Sequence, residues 1–326
     1  QVEEITLSAH RLLSPAVAQL NIRELSALGT PVTSFGAAIA GGKLFAYGGH
    51  LGNPHEYAAG LENKQLQAMS LQADQGWEVV SEGPPRTGLA LVSYQDRLYR
   101  IGGFEARNAQ GAEWDLYSSR DFARFDVASG KWTDLAPLPE GRSSHDAALL
   151  GSQLYLIGGW EMKGKGDTTW LDTAYVCDLA ADKLEWTKLP PPPFKRRALS
   201  VATHGGQVWA IGGMEEGGMT LETAFYDPQA KTWQTGPTLP GKTMDGFGTS
   251  SFGTKDGLFV VTASGAILRL SNDGKQWEEA GRLKHPRMFS RLVADDEGTL
   301  YVVGGTSRGG KVKEVEAIRV TLARAK

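Results

Sequence analysis

The chain has 326 residues, enough for one large domain or two, with 41 glycines, 9 tryptophans and a formal net charge of −3. That charge offers no general attraction to a phosphate backbone, so nucleic acid is not an expected partner. No apolar run approaches the roughly 20 residues that a spanning helix needs, so no membrane span is expected.

The lone cysteine, Cys177, cannot form an intrachain disulfide and leaves the compartment open. The chain begins at Gln1 rather than Met. This suits a trimmed chain or a mature protein after leader removal, and the expectation taken is a periplasmic or secreted protein, with the cytoplasm as the alternative. Residues 1–19 read as an N-terminal extension, of which residues 1–13 carry no structural signal. Ser14-Pro15 before an Ala/Leu-rich run is a helix-start signal, weighed against a strand over residues 20–26.

From there the sequence repeats. Apolar segments end in glycine pairs at Gly48-Gly49, Gly102-Gly103, Gly158-Gly159, Gly212-Gly213 and Gly304-Gly305, the first glycines 54, 56, 54 and 92 residues apart. The last interval has room for a lost pair, and LFVVTA, ending at Thr262-Ala263, fills it. Six units result. Tryptophans follow five of these segments, at Trp77, Trp132, Trp186, Trp233 and Trp277. Arg86, Arg142, Arg196 and Arg287 precede four of them, with Lys242 at the corresponding place in unit five.

Apolar alternation in LQAMSL and FARFDV is the period of half-buried strands, whereas ALLGSQLYLIGG reads as strands buried on both faces. Each unit is therefore expected to be a four-stranded antiparallel sheet. In unit two the strands fall near Leu89–Tyr94, Leu98–Gly102, Ala123–Val127 and Trp132–Leu135. Such sheets cannot bury both faces alone, so they must stack radially. The glycines allow close backbone approach, the tryptophans offer flat packing surface, and the recurring arginines are expected to brace adjacent units. Unit six, with strands near Arg291–Ala294, Leu300–Val303 and Val315–Thr321, has no tryptophan strand after it. Laying Ile22–Gly29 on Trp132–Pro139 places Leu25 over Leu135 and Leu28 over Leu138. Residues 20–26 are thus expected to complete unit six, with the repeat domain spanning 20–322 and a tail at 323–326.

Diglycine, tryptophan and an L-P-x-x-R crossing at about 50 residues per unit resemble the kelch repeat. The resemblance, to single-domain bacterial kelch proteins, implies an all-β, six-bladed β-propeller. In such a propeller the second-to-third-strand loops share one face. Here they are long and unequal, at about residues 50–64, 104–121, 160–172, 214–222 and 306–313, with almost nothing in unit five. Long loops on a rigid scaffold are where function concentrates. The candidate ligand-binding residues are His50, His55, Tyr57, Phe104, Glu105, Arg107, Trp114, His145, Trp160, Glu161, Arg197, Met214, Glu215 and His285, because aromatic rings beside charges suit a sugar or a peptide.

Most proteins that this pattern resembles bind rather than catalyse. The expected function is binding of a glycan, a sugar acid or a protein segment by a monomer, without cofactor. Sialic-acid mutarotases of the same repeat type are the alternative. That reading makes Glu105, Arg107 and Glu215 the candidate catalytic residues, although no arginine precedes Tyr226 as that pattern would have it. A galactose-oxidase-type copper site would need a cysteine crosslinked to tyrosine, and Cys177 lies instead in the strand AYVCDL. His50 and His55 are not at a familiar metal-ligand spacing, so no metal is expected. Ser144, His145 and Asp146 are consecutive and cannot converge as a triad.

Overall fold

The computed structural model describes residues 17–166 and 168–322; residues 1–16, with the Ser14-Pro15 signal, and the tail 323–326 lie outside the described residues. Regular structure is strand throughout, apart from one short 3-10 turn at Thr243–Gly246. Each repeat unit folds as an antiparallel meander. Unit three runs Asp146–Leu150, Gln153–Ile157, Ala174–Asp178 and Trp186–Lys188. Units one, three, four, five and six form separate four-stranded sheets. Unit two has the same four-strand meander, extended into a seven-stranded sheet by loop strands Leu116–Ser118, Trp160–Gly164 and Thr168–Trp170.

Burial explains the sequence pattern. Second strands such as Gln153–Ile157 and Gln207–Ile211 are buried almost throughout, because a sheet lies against each face. Fourth strands such as Lys131–Asp134 are largely exposed. Apolar clusters are wedged between consecutive sheets, from units one and two around to units six and one. First strands lie side by side in order, that of unit six returning to that of unit one.

The closing strand runs from Val17 to Leu25 and pairs antiparallel with Val315–Leu322, Ile22 opposite Ile318 and Leu25 opposite Val315. Leu20 and Ile22 pack into the core between units five and six. Leu28 is buried as Leu138 is, which is the equivalence drawn from the sequence. The tryptophans face backwards around the ring. Trp132 packs edge-on to Tyr47 of unit one, and Trp186 lies on Phe122 of unit two. The indole N–H groups of Trp77, Trp233 and Trp277 donate to the carbonyls of Ser26, Pro190 and Pro237, each on the preceding crossing. Cys177 is a buried strand residue whose thiol burial pushes up to about 11, so it is an inert packing group.

Candidate functional site

The glycine pairs build the platform from which the long loops rise. Both glycines of each pair have positive φ. A Cβ on Gly102 would stand 2.5 Å from the Arg142 carbonyl oxygen, and one on Gly212 would stand 2.3 Å from that of Gly246. The second glycine of each pair donates its N–H across to the next unit: Gly49 to Arg86 O, Gly103 to Arg142 O, Gly159 to Arg196 O, Gly213 to Gly246 O and Gly305 to Val32 O, at 2.6–3.0 Å.

The recurring arginines correct one expectation. The carbonyls of Arg86, Arg142 and Arg196 accept three of those cross-unit bonds, but the side chains of Arg142, Arg196 and Arg287 clamp their own units. Arg142, fully buried, donates to Gly158 O, Thr173 O and the Glu140 carboxylate. Arg287 does the same with Gly304 O, Glu314 O and Glu316, and Arg196 with Glu222 O and Glu215. The reason is geometric. Each arginine precedes the first strand of its unit, and the first strand returns its start to the end of the second.

Just inside these clamps, one residue per unit has left-handed backbone: Ser34, Gly88, Ser144, Ala198, Gly248 and Phe289. Each donates its N–H to the carbonyl of the preceding one, Ser34 to Phe289 closing the series, so six hydrogen bonds encircle the axis. Above this ring, between the long loops, opens a cavity of about 1850 Å³.

Its floor is a charged spoke. Arg291, opening the first strand of unit six, donates to Phe35 O of unit one, Leu89 O of unit two and the Asp146 carboxylate of unit three at 2.6–2.9 Å. The other oxygen of Asp146 accepts from Val201 N–H of unit four. His145 is 2 % exposed beside Arg142 and Arg291; burial, then those two charges, holds its pKa well below the ordinary value, so the imidazole is neutral.

The walls are aromatic. Trp160, Tyr57, Phe104, Trp114, Phe247 and Phe289 line them. A small loop core of Phe104, Ala106, Leu116 and Met162 supports that side. Arg197 is set among these rings. Its guanidinium carbon lies 4.1 Å from the Trp160 ring centre, 5.6 Å from Trp170 and 6.0 Å from Phe247, and one Nη contacts Met214 Sδ at 3.2 Å. No carboxylate pairs with it among the described residues, its Nε has no hydrogen-bond partner there, and burial lowers its pKa. The guanidinium stays charged all the same. Around it the described lining holds six further lysines and arginines against three acidic side chains, Glu113, Asp245 and Glu314, in a chain of net charge −3. Asp245 is committed: its oxygens accept from Lys242 N–H and Ser264 N–H, which outweigh burial and keep it below the usual carboxylate range.

Nine of the fourteen residues nominated from the sequence line the cavity: His50, His55, Tyr57, Phe104, Trp114, His145, Trp160, Arg197 and His285. Glu105, Arg107, Glu161, Met214 and Glu215 do not. Glu105 is held by Arg86 and Arg107, whose bonds overcome burial and lower its pKa. Arg107 stacks 3.9 Å from the Tyr117 ring centre, Glu161 pairs with Lys163 and accepts from Gly141 N–H, and Glu215 pairs with Arg196. The three candidate catalytic residues are thus in ion pairs outside the cavity. Among the described residues no three of His, Cys, Asp and Glu converge as a metal set.

The spoke was missed, and a signal for it exists. Strand register aligns Gly36, Ala90, Asp146, Ser200, Ser250 and Arg291 at one repeat position. Four are small; the remaining two are of opposite charge and stand three units apart, across the ring from each other.

With this architecture in view, a family model described as the KLHDC2/KLHL20/DRC7 Kelch-repeats domain matches residues 34–265, and the chain belongs to this kelch-repeat family. It is an all-β kelch propeller with four-stranded antiparallel blades. Among its relatives, beta-scruin of Limulus polyphemus is 26 % identical over 240 residues, covering 68 % of this chain and 25 % of that protein. Kelch-like protein 40 of Xenopus tropicalis is 28 % identical over 231 residues, covering 68 % and 35 %. The chain thus spans about a quarter to a third of the length of these relatives. A solved structure described as "Structure of YjhT" superposes with a TM-score of 0.69 at 16 % identity, covering 92 % of this chain and 99 % of that one, a likeness of fold alone.

Proposed function

We propose that this is a six-bladed kelch propeller whose loop face binds an acidic, aromatic- or aliphatic-bearing segment of a partner protein. Support for six blades comes from the five separate sheets and the extended meander of unit two, together with the six-membered hydrogen-bond ring. The observation that carries the binding reading is Arg197: a guanidinium with no carboxylate partner among the described residues, set among Trp160, Trp170 and Phe247 and facing a large basic cavity. A planar oxyanion can take both edges of its fork, and partial desolvation strengthens that pairing. At about 1850 Å³ the cavity exceeds the roughly 300–1000 Å³ usual for small-molecule sites, which suits several residues of an extended chain.

A sugar acid would present the same carboxylate. Ring-opening chemistry calls for an acid and a base beside the ligand, and the three candidates for it, Glu105, Arg107 and Glu215, are held in ion pairs outside the cavity. Of the described lining carboxylates Asp245 has both oxygens engaged and Glu113 pairs with Lys165, which leaves Glu314. Binding is therefore favoured over ring-opening chemistry. The test is calorimetric titration with acidic twelve-residue peptides and, separately, with sialic and glucuronic acids. Peptides are expected to bind, and Arg197→Met to weaken them by about 2 kcal/mol, roughly thirtyfold. Binding of sugar acids without peptides, or an Arg197→Met chain that binds as before, would overturn the reading.

A further inference from the structure

The rim of the cavity has a gap, and its chemistry is not that of the rest. Between second and third strands, unit four raises the hairpin Met214–Glu215/Gly218–Met219 and unit six the hairpin Thr306–Ser307/Gly310–Lys311. Units one to three raise longer loops still. Unit five connects Gly257–Val261 to Ala266–Leu270 by Thr262–Gly265 alone, with Gly265 N–H donating to Thr262 O. Ala263 and Ser264 of this turn line the cavity, so the cavity continues out over unit five.

The two flanks of the gap differ in charge. On the unit-six side, Lys284 and His285 already stand 3.4 and 3.5 Å from Glu24. On the unit-four side, Lys242 is exposed and forms no ion pair among the described residues. The one carboxylate beside it, Asp245, is buried and spends its oxygens on backbone N–H groups. Two residues along, Met244 is 44 % exposed, one of few large apolar side chains left open to solvent. Phe247 then packs edge-on to Phe289 at 5.0 Å and reaches Arg197. Cation, exposed apolar side chain, aromatic pair and unpaired guanidinium thus form one continuous track from outside to cavity wall.

Resting on the binding reading above, we propose that the partner is an extended acidic polypeptide that leaves the cavity over unit five along the Lys242 flank. One acidic residue meets Arg197, an apolar side chain covers Met244, and a second acidic residue meets Lys242. Charge complementarity selects this occupant: among the described residues the track from Lys242 to Arg197 offers two cations outside any ion pair, and its one carboxylate, Asp245, is engaged by backbone N–H groups.

The experiment selects binders from a displayed library of random acidic twelve-residue peptides on the full chain. The selected peptides are then measured on Lys242→Glu, Met244→Ser, Arg197→Met and, as control, Lys131→Glu on an outer strand. Lys242→Glu is expected to weaken binding roughly tenfold, as reversal of an exposed rim charge does. Met244→Ser weakens it several-fold, the control leaves it unchanged, and selected peptides share two acidic residues separated by an apolar one. Loss of binding on Arg197→Met with none on Lys242→Glu or Met244→Ser overturns the track and leaves the cavity reading standing. Failure to select any peptide overturns both. Arg197→Lys, which keeps the charge without the fork, and a thermal melt of each variant separate lost recognition from lost folding.

Discussion

His145 lies at the residue scale of this architecture, where one buried ring carries a measurable linkage. It occupies the entry of unit three, 2 % exposed, with Arg142 and Arg291 as charged neighbours. Burial first, and then both guanidiniums, depress its pKa well below 6.5. A base whose folded pKa is depressed binds fewer protons in the folded state. The penalty is absent above the unfolded value near 6.5 and grows as pH falls toward the folded value. Between pH 7.5 and 5.5 that amounts to about 1.4 kcal/mol. His145→Gln is therefore expected to lose about 2 °C less in melting temperature than the unaltered chain across that interval. Equal losses, measured by calorimetry at both pH values, would show that the ring takes up a proton in the folded state.

At the scale of elements, the strand Val17–Leu25 decides whether the ring is closed. It covers the edge of Val315–Leu322, contributes Leu20 and Ile22 to the core between units five and six, and delivers Leu28 to the core between units six and one. Deleting residues 1–28 would expose that edge and unseat both cores. The expected outcome is a drop in melting temperature of at least about 10 °C, with self-association through the freed edge seen by light scattering. An unchanged melt would mean that closure does not depend on this strand. The strand was legible because it copies a repeat: Leu25 and Leu28 stand where Leu135 and Leu138 stand. The glycine pairs and tryptophans were legible for the same reason, since identical backbone geometry asks for the same residue in each unit. The arginines were legible as scaffold but their partners were not, because spacing gives a residue's place and not the direction in which its side chain reaches. Glu105, Arg107 and Glu215 were nominated for being charged on long loops, and scaffold arginines or each other had already claimed them.

At the scale of the whole molecule, two concentric devices hold the sheets together: the ring of six backbone bonds and, beneath the cavity, the Arg291–Asp146 spoke. The ring is made of main chain, so no side chain supplies its bonds. The spoke depends on two side chains, each largely buried, that reach between them five of the six units. Removing one member leaves the other as an uncompensated buried charge, at a cost of about 3–5 kcal/mol. Arg291→Met and Asp146→Ser are each expected to destabilise by that order. Asp146→Ser installs the residue type that Ser200 and Ser250 show at the same position in units four and five. The double variant leaves no stranded charge, so it is expected to be more stable than the sum of the single losses predicts, by at least about 1 kcal/mol. Denaturant melts of the four chains give that coupling directly. Strict additivity would mean that the two charges do not act as a pair.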